Sequence, residues 1–159
     1  MIPYEDIMST EDRRVESENE VRTYISRLKY ALEHGAEINF QENRRVDEER
    51  SIVYTNRYTV ATLFPGDDPV KALRRELATL TTAEYQYTVR DRRFPNRSEM
   101  RVFGKNYSAH EVCKSGGDVY IKIRVELMTG DGKHTAFVMS FHFAEIPFCD
   151  SDFPYKGTK

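Results

Sequence analysis

The sequence predicts an α+β fold, with N-terminal helices packed on an antiparallel β-sheet of about four strands. Two observations predict it. Apolar residues recur at helical spacing up to about Leu80 and at alternate positions after it, and the helical segments precede the alternating ones instead of interleaving with them. At 159 residues the chain is the size of one domain, large enough for a real core.

Ser17 followed by Glu20 has the form of a capping box, and Val21, Tyr24, Ile25, Leu28, Ala31 and Leu32 then repeat as one helical face until Gly35 stops it. AEINFQ reads as a short strand, and the heavily charged ENRRVDEERS as a loop or exposed turn. TNRYTVATLF predicts a short helix ended by Pro65 and Gly66, with a strand as the alternative that its β-branched residues leave open. Asp68 before Pro69 starts another, running to about Thr79 on a stripe of Val70, Leu73, Leu77 and Leu80. AEYQYTVR and SEMRVFGK alternate and flank the turn-rich DRRFPNR. The stretch from Asp118 to Glu145 is two alternating segments around a Gly-bearing turn.

Charge and composition narrow the function. Residues 1–16 form an acidic leader expected to be flexible, ahead of a single domain over 17–159. The first twenty residues hold seven acids against two arginines, so the body is net positive although the total is −2. The N-terminus lacks the basic and apolar regions of a signal peptide, and no apolar run is long enough to span a bilayer, which predicts a cytoplasmic protein. Cys113 and Cys149 read as free thiols. With no Gly-rich phosphate loop and no metal-ligand spacing among His34, His110, His134 and His142, neither a nucleotide cofactor nor a metal is expected.

In the final hairpin Val119, Ile121, Ile123, Val125 and Leu127 belong to one face, and Tyr120, Lys122 and Arg124 to the other. Placing Phe137, Met139, Phe141 and Phe143 in the core turns His142 outward. The same alternation sends Tyr85, Tyr87, Val89, Met100 and Val102 inward. The outward face then collects Gln86, Arg90, Arg101, Tyr120, Lys122, Arg124 and His142. Cations with interleaved aromatic rings suit a phosphate chain with unpaired bases. The face also holds the parts for RNA cleavage without a metal. A base removes the 2′-hydroxyl proton, a cation steadies the phosphorane and an acid protonates the leaving 5′-oxygen. His142 fits base or acid, Arg101 a two-pronged phosphate clamp and Tyr120 a donor, while Lys122, Arg124, Arg90 and Lys105 fit flanking phosphates.

The runs LATLTTAEYQYTV, MRVFGK, DVYIKI, VMSFHFAE and the closing FPYK resemble the motility quorum-sensing regulator (MqsR) family of toxin ribonucleases, over about residues 56–157. The resemblance implies a RelE-like fold and an mRNA interferase of a type II toxin–antitoxin module, held inactive by a cognate antitoxin. Its functional tyrosine falls on Tyr120. A catalytic lysine of the best-known branch falls on His142, and the other two positions on Gln86, where that branch has lysine, and Arg101, where it has glutamine. The expected partners are mRNA and the antitoxin, with no membrane. The rival expectation is a noncatalytic RNA- or partner-binding module that uses the same basic face.

Overall fold

The computed structural model of the chain describes residues 11–44, 50–107, 117–127 and 134–157. In chain order the elements are β1 (Glu11–Arg14), α1 (Glu18–Glu33), β2 (Glu37–Phe40), α2 (Asn56–Leu63), α3 (Pro69–Leu77), β3 (Tyr85–Asp91), β4 (Met100–Asn106), β5 (Asp118–Leu127) and β6 (His134–Phe143). They build an α+β domain, with three helices against a six-stranded mixed sheet in the order β1-β3-β4-β5-β6-β2.

Each helix starts where its capping residues say. The Ser17 hydroxyl accepts from the Glu20 N–H while the Glu20 carboxylate accepts from the Ser17 N–H, and α1 ends before Gly35 at φ +81°. Thr55 and Asp68 cap α2 and α3, the latter with Pro69 in its first turn. Val21, Ile25 and Leu28 of α1, Val60 of α2, and Leu73 and Leu77 of α3 meet Phe103, Val119, Ile121, Ile123, Phe141 and Phe143 of the sheet in one core.

The sheet departs from expectation at both edges. β2 joins β6 in parallel, Glu37 beside Thr135, so the sheet is mixed, not purely antiparallel. At the other edge Glu11–Arg14, expected within a flexible leader, pairs antiparallel with β3, Glu11 opposite Asp91 and Arg14 opposite Thr88. Residues 1–10 lie outside the described residues, as do 45–49 of the charged segment, His110 and Cys113. Cys149 is an exposed free thiol.

Two bulges change which side chains face the helices. On β6, Ser140 sits opposite Lys122 and Val138 opposite Ile123, so Met139 is the extra residue. Phe141 and Phe143 face the core as expected. Beyond the bulge Val138 and Ala136 take the core side, and Phe137 turns outward under the Arg124 guanidinium, 4.7 Å from its ring centre. On β3 the register shifts between Tyr85 and Tyr87: Tyr85 stays in the core, Tyr87 opposite Val102 takes the far face, and Thr88 opposite Arg101 takes the helix face. In β4, Arg101 pairs with Ile123, Phe103 with Ile121 and Lys105 with Val119, so all three face the helices. Met100, Val102 and Gly104 face away, which reverses the expected alternation of this strand.

Candidate functional site

The sheet's far face holds the chemistry. Antiparallel pairing sets Tyr120 opposite His142 and Lys122 opposite Ser140, so four polar side chains of β5 and β6 share one face. The chain following β2 brings Arg44 and Arg50 over them. Together with Ala144, Glu145, Ile146 and Phe148 they line a cavity of about 350 Å³.

The hydrogen bonds fix the state of His142. An arginine donates and never accepts, so the 3.2 Å contact from Arg50 Nη1 makes His142 Nε2 the lone-pair nitrogen. The proton then sits on Nδ1, which donates to the Phe143 carbonyl at 3.0 Å. The ring stacks on Tyr120 at 5.5 Å between centroids, and only 7% of the residue is exposed. A neutral imidazole is therefore held with its basic nitrogen against a guanidinium. Arg44 Nη1 donates to Ser140 Oγ at 3.1 Å, and the Tyr120 hydroxyl shares a 2.9 Å hydrogen bond with Tyr87. Burial, reinforced by Tyr87, pushes the Tyr120 hydroxyl well above the usual tyrosine range, so it remains a donor at any physiological pH.

The site rests on α2. Asn56 is fully buried: its amide donates to the Gln41 and Met139 carbonyls at 2.7 and 3.0 Å, and its carbonyl accepts from the Phe141 N–H at 3.0 Å. Thr59 accepts from the Phe143 N–H at 2.9 Å. The part of β6 beyond its pairing with β2 is an edge whose backbone groups these two side chains satisfy, on both sides of His142.

The N-terminal strand reaches the same face. The Glu11 carboxylate lies 2.7 Å from Lys122 Nζ, and the Arg13 guanidinium lies 4.4 Å from the centre of the Tyr87 ring.

Of the residues singled out from sequence, the structure brings Tyr120, His142 and Lys122 together. Arg124 lies on the same face further along β5, paired with Glu126 at 2.9 Å. Gln86 sits beside Gly104, where an added Cβ would come within 2.8 Å of its amide nitrogen and 2.6 Å of the Phe148 ring. Arg101 is not with them. It faces the helices, 4.5 Å over the Tyr24 ring, with Nε donating at 2.8 Å to Glu16, a carboxylate only 4% exposed. Arg101 therefore neutralises a buried acid, and does not clamp a phosphate beside His142. Arg90 donates to the Pro95 carbonyl, and Lys105 pairs with Glu84 at 3.0 Å on the helix side. Sequence reasoning missed Arg44, Arg50 and Ser140. Ser140 shares the outward alternation of His142, a signal that was available, whereas the arginines of ENRRVDEERS carry no period.

Among the described residues no group of three or more His, Cys, Asp or Glu is arranged to hold a metal ion, and no helix is long and apolar enough to cross a membrane. A cleft of about 1150 Å³ lies on the helix-bearing face away from Tyr120, Ser140 and Lys122. Comparison with protein-family models, curated proteins and solved structures finds no match.

Proposed function

We propose that the chain is a metal-independent endoribonuclease that cleaves mRNA by 2′-hydroxyl attack, the toxin of a type II toxin–antitoxin pair with a RelE-like, MqsR-type fold. The observation that carries the reading is the convergence of an imidazole lone pair, a protonated tyrosine and three cations on one cavity. A scissile phosphate in that cavity draws the Arg50 guanidinium onto its oxygens and frees His142 Nε2 to take the 2′-hydroxyl proton. Arg44, Arg50 and Lys122 offset the charge that grows on the phosphorane. Tyr120 donates to the leaving 5′-oxygen and protonates it as the P–O bond breaks, leaving a 2′,3′-cyclic phosphate and a 5′-hydroxyl. Gln86 is buried beside Gly104, next to the Phe148 ring that lines the cavity, and backs that wall without facing the RNA.

The noncatalytic alternative is favoured by the contacts already made: Nε2 is held by Arg50 and Lys122 by Glu11. One experiment separates them. A defined mRNA is incubated with the protein in excess chelator and its ends are analysed. New cyclic-phosphate and 5′-hydroxyl ends support the ribonuclease, and RNA retained on the protein but intact supports the binding module.

A further inference from the structure

The cleft on the helix-bearing face is walled by α1, the β3–β4 turn and the end of β5, and four arginines line it: Arg22, Arg27, Arg97 and Arg101. Two are compensated. Arg101 is held by Glu16, and Arg22 pairs with Glu18 at 2.5 Å. Arg27 and Arg97 project from exposed positions with no ion pair within 4 Å among the described residues, Arg97 feeling Asp91 only at longer range, and the one carboxylate on the lining, Glu126, is already engaged by Arg124. The cleft wall therefore keeps a cationic excess, centred on Arg27 and Arg97.

An exposed aromatic residue neighbours each of these two arginines. Tyr30, 58% exposed, lies one turn along α1 from Arg27 and is stacked on His34 at 3.9 Å between centroids. Phe94, 41% exposed, has the Arg97 guanidinium 4.0 Å and the Arg93 guanidinium 5.6 Å from its ring centre. Exposed large rings cost solvation and gain nothing in the core. Exposed arginines interleaved with exposed aromatic residues match a chain that alternates phosphates with flat bases, in which each base meets a ring edge or face and each phosphate an arginine. An acidic peptide would use the arginines and leave the rings idle.

We infer that this cleft is a second binding site for single-stranded RNA, separate from the cavity around His142, that holds a segment flanking the one in the cavity. The inference rests on the reading of the chain as an RNA-binding enzyme and adds an exosite to it. It makes affinity depend on RNA length: a trinucleotide occupies only the sheet face, while a strand of about 12 nucleotides spans both sites.

The test measures binding of non-cleavable 2′-O-methyl oligoribonucleotides to the full chain and to the Arg27→Ala/Arg97→Ala variant, across a salt series. Both residues are exposed, and an unchanged melting curve establishes that the variant folds. The expected result is binding of the longer strand weakened by about 10-fold, with a salt slope shallower by about 1.4, the loss of two phosphate contacts on a single strand, while the trinucleotide binds unchanged. Equal affinity and slope for the longer strand overturns the exosite and leaves the sheet-face reading standing. Weakened binding of the longer strand with no cleavage by the wild type supports the exosite and sinks the ribonuclease. An oligoglutamate peptide that displaces the longer strand but not the trinucleotide, and binds more tightly than the strand does, overturns RNA as the occupant.

Discussion

At the scale of single residues, a hydrogen-bond donor that cannot accept decides the chemistry of His142. Because Arg50 leaves Nε2 as the lone-pair nitrogen, the imidazole suits the base of the proposed cleavage, and on that reading His142→Ala should lower single-turnover RNA cleavage by about 10²-fold or more. The check is a cleavage time course with unchanged circular dichroism; equal rates in two folded proteins remove His142 from the mechanism. Glu16 carries a different prediction. Burial works to raise its carboxyl, but the bonds from Arg101 and Thr88 outweigh burial and hold it below the ordinary glutamate range. Its folded value is then lower than its unfolded one, so its contribution is fully present above about pH 4.3 and is lost as pH falls through the folded value. Glu16→Gln should therefore melt at a temperature that declines less steeply than wild type between about pH 5 and pH 3. Parallel declines would show that Glu16 is not linked to folding. Tyr120 and His142 were legible because each lies among regularly alternating apolar neighbours. Arg101 was placed on the wrong face because Val102, Phe103 and Gly104 are all buried, and a strand covered on both sides gives alternation nothing to report.

At the scale of elements, the helices could be read almost to the residue, since caps and apolar stripes are local signals. Bulges are not local. Nothing in FVMSFHF says that Met139 is the extra residue, because the shift shows only against the partner strand, and Asn56 of α2 holds the edge groups of Met139 and Phe141 beside it. Asn56→Ala should accordingly destabilise the domain by roughly 2–3 kcal/mol, the cost of stranding buried backbone groups, and should reduce cleavage as well because β6 loses its support next to His142. Denaturant midpoints and cleavage rates measured together check this. A stable variant with normal activity would show that water replaces the amide. β1 was invisible for the opposite reason: EDRR has no apolar residue to carry a period, and it becomes a strand only by pairing with the edge of β3.

At the scale of the whole molecule, the N-terminal segment ties the two faces together. Glu16 neutralises Arg101 on the helix side and Glu11 meets Lys122 on the other, so one short acidic stretch sets the charge that both faces show. Glu11→Gln should tighten RNA binding by about 3-fold at low salt, the scale of a partly exposed ion pair, with the difference fading as ionic strength rises. Identical salt profiles for the two proteins would leave Glu11 a bystander. The strand pairing also orders events in time. β3 to β6 pair with their neighbours in sequence, whereas β1 waits for β3 and then for the lysine of β5, and β2 waits for β6. Local hairpins close before distant strands. The meander bearing Tyr120 and His142 therefore takes shape while both of its flanks are still open, and for that interval Lys122 has no Glu11 beside it. On the proposed ribonuclease reading, a chain refolding in the presence of RNA meets the strand before it meets its own acid, and amide protection in β1 should be the slower to appear when refolding is pulsed with RNA present.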